Sequence, residues 1–150
     1  MGDSAERTLS VPAGKAIFMP VHQWIFGAAV NDCEPTVPGV ACDVPTLRAA
    51  AATAALGATV LEVFIDGRLV PDITDYRTLS PGGFNIALPA DNVLGLAGGT
   101  YGPHVADGYW LMLAPMTPGN HLISVHVVNP GPGIQNTVIY HLTVASRERD

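Results

Sequence analysis

From Leu122 to Val144 the side chains alternate twice over, and no other stretch constrains the fold as strongly. Ile123, Val125 and Val127 fall on one side of an extended chain, with Leu122, Ser124, His126 and Val128 on the other. After Asn129-Pro130-Gly131-Pro132-Gly133 the alternation resumes, with Val138, Tyr140, Leu142 and Val144 opposite Thr137, Ile139, His141 and Thr143. A period of two marks strands buried on one face only. The link between them is short enough for a hairpin. Matching the apolar faces then sets Leu122 opposite His141 and His126 opposite Thr137, because a one-residue slip would turn each apolar face to water.

The rest of the chain repeats the signal more weakly. Short apolar runs at residues 8–11, 16–21, 59–65, 68–69, 76–79, 85–88 and 108–113 are separated by Gly, Pro, Asn and Asp clusters. With the closing hairpin they make about nine strands, the pattern of a β-sandwich or barrel. Asp66-Gly67 tolerates the positive φ of a type I′ turn and predicts a tight hairpin. One short Ala-rich helix is expected over residues 46–56, capped by Asp43, with Pro45 in its first turn and Gly57 beyond its end. A length of 150 residues suits one domain over 1–150, with polar, loose ends at 1–6 and 146–150.

Composition removes several classes. The chain is 48% hydrophobic and 13% charged, which excludes intrinsic disorder. Seven Lys and Arg against thirteen Asp and Glu give net charge −6 and no basic footprint for nucleic acid. No apolar run reaches the roughly 18 residues of a membrane span, and the first seven residues have neither the basic nor the apolar region of a leader. Cys33 and Cys42 share one Pro- and Gly-containing loop. A disulfide between them would close a short loop and suit an oxidising compartment; the other reading is two free thiols. Low charge, little Lys and many Pro favour an extracytoplasmic or secreted setting.

The chain also resembles a widespread family of small, uncharacterised and often secreted bacterial proteins. The matching pieces are Val63-Phe64-Ile65-Asp66-Gly67, Tyr76-Arg77 with Ser80-Pro81, Gly82-Gly83-Phe84 and Pro89-Ala90-Asp91-Asn92-Val93. They continue through Ala106-Asp107-Gly108-Tyr109-Trp110-Leu111-Met112-Leu113, Pro115-Met116, Pro118-Gly119-Asn120-His121 and Tyr140-His141-Leu142-Thr143-Val144, with Gly14-Lys15-Ala16-Ile17-Phe18-Met19-Pro20-Val21 near the start. The resemblance implies an all-β, Ig-like or jelly-roll β-sandwich outside the cytoplasm. It implies no activity.

Five histidines are the candidates for chemistry. His126 and His141 share a face but lie four residues apart along it, roughly 13 Å at about 3.3 Å per residue, too far for one ion. A zinc or copper site would therefore gather His22, His104 and His121 at one open end of the sandwich. Histidines hydrogen-bonded on sheet surfaces are the plainer reading. No serine lies in a Gly-x-Ser-x-Gly elbow. Asp66 is explained by its turn and Asp107 by a strand entry.

The aromatics point to binding. Tyr109, Leu111 and Leu113 fall on one face of their strand and Trp110, Met112 and Ala114 on the other, so both faces are apolar. Such a strand is covered twice or exposes a contact patch. The helix over 46–56 is the first candidate for the second cover. Trp24, in His22-Gln23-Trp24-Ile25-Phe26, offers a further loop-borne patch. The functional expectation is a non-catalytic module without cofactor that binds a protein, a glycan or a second copy of itself through Tyr109, Trp110, Met112 and Trp24. The alternative is a small metal-dependent enzyme using the three histidines.

Overall fold

The computed structural model describes residues 3–27, 29 and 43–146. Cys33 and Cys42, and with them the expected disulfide, lie outside the described residues. Among those described the fold is all-β and sandwich-like, with nine strands in two sheets and one α-helix. The strands are β1 (Asp3–Val11), β2 (Ile17–Gly27), β3 (Val60–Ile65), β4 (Arg68–Leu69), β5 (Arg77–Leu79), β6 (Phe84–Leu88), β7 (Gly99–Leu113), β8 (Gly119–Asn129) and β9 (Ile134–Val144), and α1 spans Val44–Leu56. One sheet has the order β1-β9-β8-β3-β4; the other has the order β2-β7-β5, with β6 also paired to β7.

The chain forms two compact units, each built from separated segments. The first comprises Met1–His22, Gly57–Arg77 and Tyr109–Asp150; the second comprises Gln23–Leu56 and Thr78–Gly108. The five-stranded sheet lies wholly in the first. Its centre is the β8–β9 hairpin, whose register places Leu122 opposite His141 and His126 opposite Thr137, as the alternation predicts. Ile123, Val125, Val127, Leu142 and Val144 are buried, and Met19, Val21, Val63, Ile73, Tyr109 and Leu111 complete that unit's core. The β3–β4 turn holds Asp66 at φ 50° and Gly67 at φ 76°, both in the left-handed region that a type I′ hairpin requires.

Three strands run well beyond their sequence signals. Residues 3–6, read as a loose end, belong to β1, which pairs with β9 in parallel through Glu6↔Ile139 and Thr8↔His141. Main-chain pairing to a strand far along the chain orders this polar segment, and polarity gives no hint of it. Strand β2 continues through Trp24, so that residue is strand-borne rather than on a loop. Strand β7 begins at Gly99 rather than at residue 108. Its early part contains Gly102 and Pro103, and pairing with β6 shifts register between Phe84 and Ile86, where it faces them. A bulge there accommodates a proline that has no N–H to donate.

The second unit is organised by α1. The Asp43 carboxylate accepts hydrogen bonds from the Thr46 amide at 2.8 Å and the Thr46 hydroxyl at 3.1 Å, capping the first turn as its position predicts. Leu47, Ala51 and Ala55 follow at i, i+4 and i+8 as the buried face. The small alanines let the helix approach closely, and Leu47 and Ala51 pack on Val105 with Phe26 and Val44 around them. The Arg48 guanidinium donates to the Ser80 carbonyl. Ser80 in turn is fixed to β7, its hydroxyl accepting from the Ala106 amide at 3.2 Å and its own amide donating to the Ala106 carbonyl at 2.8 Å.

Candidate functional site

Period-two geometry in the first unit builds an aromatic surface. Along β7, Tyr109 and Leu111 are buried while Trp110 and Met112 alternate with them. Along β2, Met19 and Val21 are buried while Phe18 and Pro20 are exposed. Because β2 and β7 are neighbours, the outward residues meet. The Phe18 and Trp110 rings stack with centroids 5.4 Å apart and planes within 4°. Phe18 remains 60% exposed and Met112 65% exposed, so the surface faces water despite its apolar chemistry.

Tyr109, expected in a contact patch, is 3% exposed and belongs to the core. Trp24 is half-buried and tilts against Phe26 in the second unit, at 6.1 Å and 36°. Met112 is exposed, so it lacks the second cover expected for it, and within the second unit the buried face of α1 packs on Val105. Phe18 is the member that the sequence reading omitted. Its signal was present: in residues 16–21 it alternates with Met19 and Val21 just as Trp110 alternates with Tyr109 and Leu111.

A second exposed apolar element is the β6–β7 loop in the other unit. Val93 at its tip is fully exposed and Leu94 about half exposed. Asn92 braces the loop from within. Its side-chain amide donates to the Pro89 and Leu96 carbonyls at 2.8 and 2.7 Å, and its oxygen accepts from the Leu94 and Leu96 amides at 3.1 and 3.3 Å. The Tyr101 hydroxyl donates to the Ala97 carbonyl.

The histidines each have partners of their own. His22 is buried, and its Nε2 accepts from the Asn129 side-chain amide at 3.2 Å; burial pushes its pKa below the ordinary value. His104 is fully buried in the second unit, where Nε2 accepts from the Ala29 amide at 2.8 Å and the ring tilts against Phe84. That bond leaves the ring proton on Nδ1, which has no partner among the described residues. His126 lies 3.4 Å from Glu62 and His141 lies 3.5 Å from Glu6, both on the solvent face of the five-stranded sheet. Among the described residues no group of three or more His, Cys, Asp or Glu is placed to hold a metal ion. Asp107, expected at a strand entry, is wholly buried within β7.

His121 is the most constrained of the five. Its Nδ1 lies 2.7 Å from Asp66 Oδ2 and its Nε2 lies 2.8 Å from the Thr117 carbonyl. Both partners accept only, so both ring nitrogens must donate and the geometry calls for an imidazolium. The hydrogen bond to Asp66 accordingly raises the His121 pKa, helped by the Thr117 carbonyl. The bond from His121 holds Asp66 below the usual carboxylate range, helped by the Leu122 amide. Asp66 also exchanges backbone contact with Leu122, donating to its carbonyl at 2.8 Å. The pair thus clasps the β3–β4 turn to the start of β8.

A pH dependence follows with a definite sign. The raised His121 contributes stability below its unfolded pKa near 6.5, and this is lost as pH rises through the folded value. The lowered Asp66 contributes stability above its unfolded pKa of about 4, lost as pH falls through the folded value. The clasp is therefore fully formed between about pH 4 and 6.5, with a small amplitude because Asp66 is half exposed. NMR titration of the imidazole should place the His121 midpoint above 6.5, and Asp66→Asn should bring it back towards 6.5. An unchanged midpoint in that variant would refute the clasp.

No protein-family model and no curated protein matches the sequence. Among solved structures, a chain of the one described as "Structure of PbICP-C in complex with falcipain-2" is similar at 12% identity and a TM-score of 0.34, covering 96% of this chain and 91% of that one. A likeness of that degree says nothing about what this chain binds.

Proposed function

We propose that this protein is a non-catalytic β-sandwich module acting outside the cytoplasm, and that it docks a protein partner through the Phe18–Trp110–Met112 face. The observation that carries this reading is an exposed Phe18, stacked on a half-buried Trp110, and an exposed Met112 on one sheet surface. Aromatic residues and Met are enriched at the desolvated centres of protein interfaces. A protein is favoured over a glycan because the exposed residues beside the stack, Pro20 and Met112, are apolar, whereas a sugar on a ring face needs polar groups around it. The low charge and the resemblance to secreted bacterial proteins support the compartment. Since each histidine is engaged by a partner of its own, the metal-enzyme reading gains no support from their placement.

The test is a photo-crosslinking residue at Met112 in the exporting cell, followed by purification of whatever is captured. Calorimetry of that protein with the wild-type chain and with Phe18→Ser/Met112→Asp should show binding at least thirtyfold weaker in the variant, at unchanged thermal stability. Equal affinity for both chains would overturn the reading. Native mass spectrometry of the untagged protein separates the other occupants. A concentration-dependent dimer that the double variant loses would make the partner a second copy, and a copurified glycan that it loses would make it a sugar; either replaces the proposed partner.

A further inference from the structure

The first unit holds an apolar cavity under the rim of its larger sheet. In the parallel β1–β9 ladder Leu9 is opposite Leu142 and Arg7 is opposite Tyr140, so Leu9 and Arg7 point to the same side as the core. Leu142 is 3% exposed, yet Leu9 on the same face is 45% exposed. Strand β1 therefore carries the inner face of the sheet out past whatever covers its centre. Beneath this overhang lies a cavity of about 180 Å³ lined by Leu9, Ile123, Tyr140 and Leu142 from the sheet and by residues 17–20 of β2. Apart from the Tyr140 hydroxyl its lining side chains are hydrocarbon or thioether. Enclosed apolar cavities of about 150 Å³ take up a benzene-sized guest, and this one, open on one side, has room for a short alkyl chain.

A cation neighbours this lining along β1. Arg7 is exposed, two residues before Leu9 on the same face of β1 and level with Tyr140. Glu6, its acidic neighbour, faces the opposite side of the sheet, where it meets His141. A guanidinium presents paired donors suited to a carboxylate. We propose that this cavity is a binding site for a short alkyl carboxylate, with the chain buried against Leu9, Ile123 and Leu142 and the carboxylate held by Arg7. The site does not depend on the docking face. Phe18 borders both, so the diagnostic variants avoid it.

The probes are octanoate, hexanoate and octanol, each titrated into the full chain and followed by methyl NMR. Octanoate should cause saturable shifts centred on Leu9, Ile17, Ile123 and Leu142. Hexanoate, two methylenes shorter, should bind roughly fifteenfold more weakly, since each buried methylene is worth about fourfold in affinity. Leu9→Trp should fill the mouth and abolish the shifts; Leu9→Phe gives the same readout with less added volume should the tryptophan impair folding. Arg7→Gln should weaken octanoate at least fivefold while leaving octanol within twofold. Shifts centred on Trp110 and Met112, shifts that persist in the folded Leu9 variants, or none at all would overturn the site. An Arg7→Gln variant that binds octanoate as wild type does would overturn the carboxylate. Loss of partner docking in Trp110→Ala with octanoate binding intact would separate this site from the docking face.

Discussion

Ile123→Ala is expected to lower stability by about 3 kcal/mol, whereas Leu122→Ala, one residue away, should cost no more than about 0.5 kcal/mol. The contrast follows from the pleat. Ile123 is 1% exposed at the middle of the five-stranded sheet, where it is cross-strand to Tyr140 on one side and Ile65 on the other. Leu122 is 43% exposed and points to the solvent face, with His141 opposite it on β9 and Asp66 hydrogen-bonded to its backbone on the other side. Truncating Ile123 removes three buried carbons and enlarges a cavity that already exists beside it. Its neighbours sit on three hydrogen-bonded strands and have little freedom to close the gap, so the lost contacts are not recovered. For a chain of this length the change should appear as a fall of about 10 °C in melting temperature. Equal costs at the two positions would mean that the β8 register is wrong.

The same alternation explains what could be read from the sequence. Register at β8–β9 was legible because three apolar positions on β8 and four on β9 favour the pairing that buries both faces. The Asp66-Gly67 turn and the Asp43 cap were legible because each rests on one residue's local chemistry. Strand β1 was not, because its order comes from a parallel ladder with residues more than 130 positions away, and its side chains are mostly polar and exposed. Nor was the division into two units, since β2 and β7 each run from one unit into the other and no change of composition marks the crossing. The Phe18–Trp110–Met112 face was half legible. The β7 alternation put Trp110 and Met112 on one face but left open which face was buried; the burial of Tyr109 and Leu111 decides that, and the placement of β2 beside β7 brings Phe18 onto Trp110.

Gly27→Ala is expected to cost about 3 kcal/mol, a large effect for one added methyl group. Gly27 ends β2 with φ +154°, a conformation that L side chains rarely adopt. A Cβ there would lie 2.4 Å from His104 Cδ2, 2.7 Å from His104 Cγ and 2.5 Å from the Pro103 carbonyl oxygen. One obstacle is main chain and cannot rotate aside. The other is a fully buried ring whose Nε2 accepts the Ala29 amide, so swinging it away would also break that bond. The two contributions can be separated with His104→Ala. Removing the ring relieves part of the clash but leaves the φ strain and the Pro103 contact, so Gly27→Ala should cost less in that background without becoming neutral. A coupling of 1 kcal/mol or more between the two changes, on the order expected for residues in direct contact, would place the ring against the Gly27 backbone. Strict additivity would show that the close approach of His104 to β2 does not exist in solution.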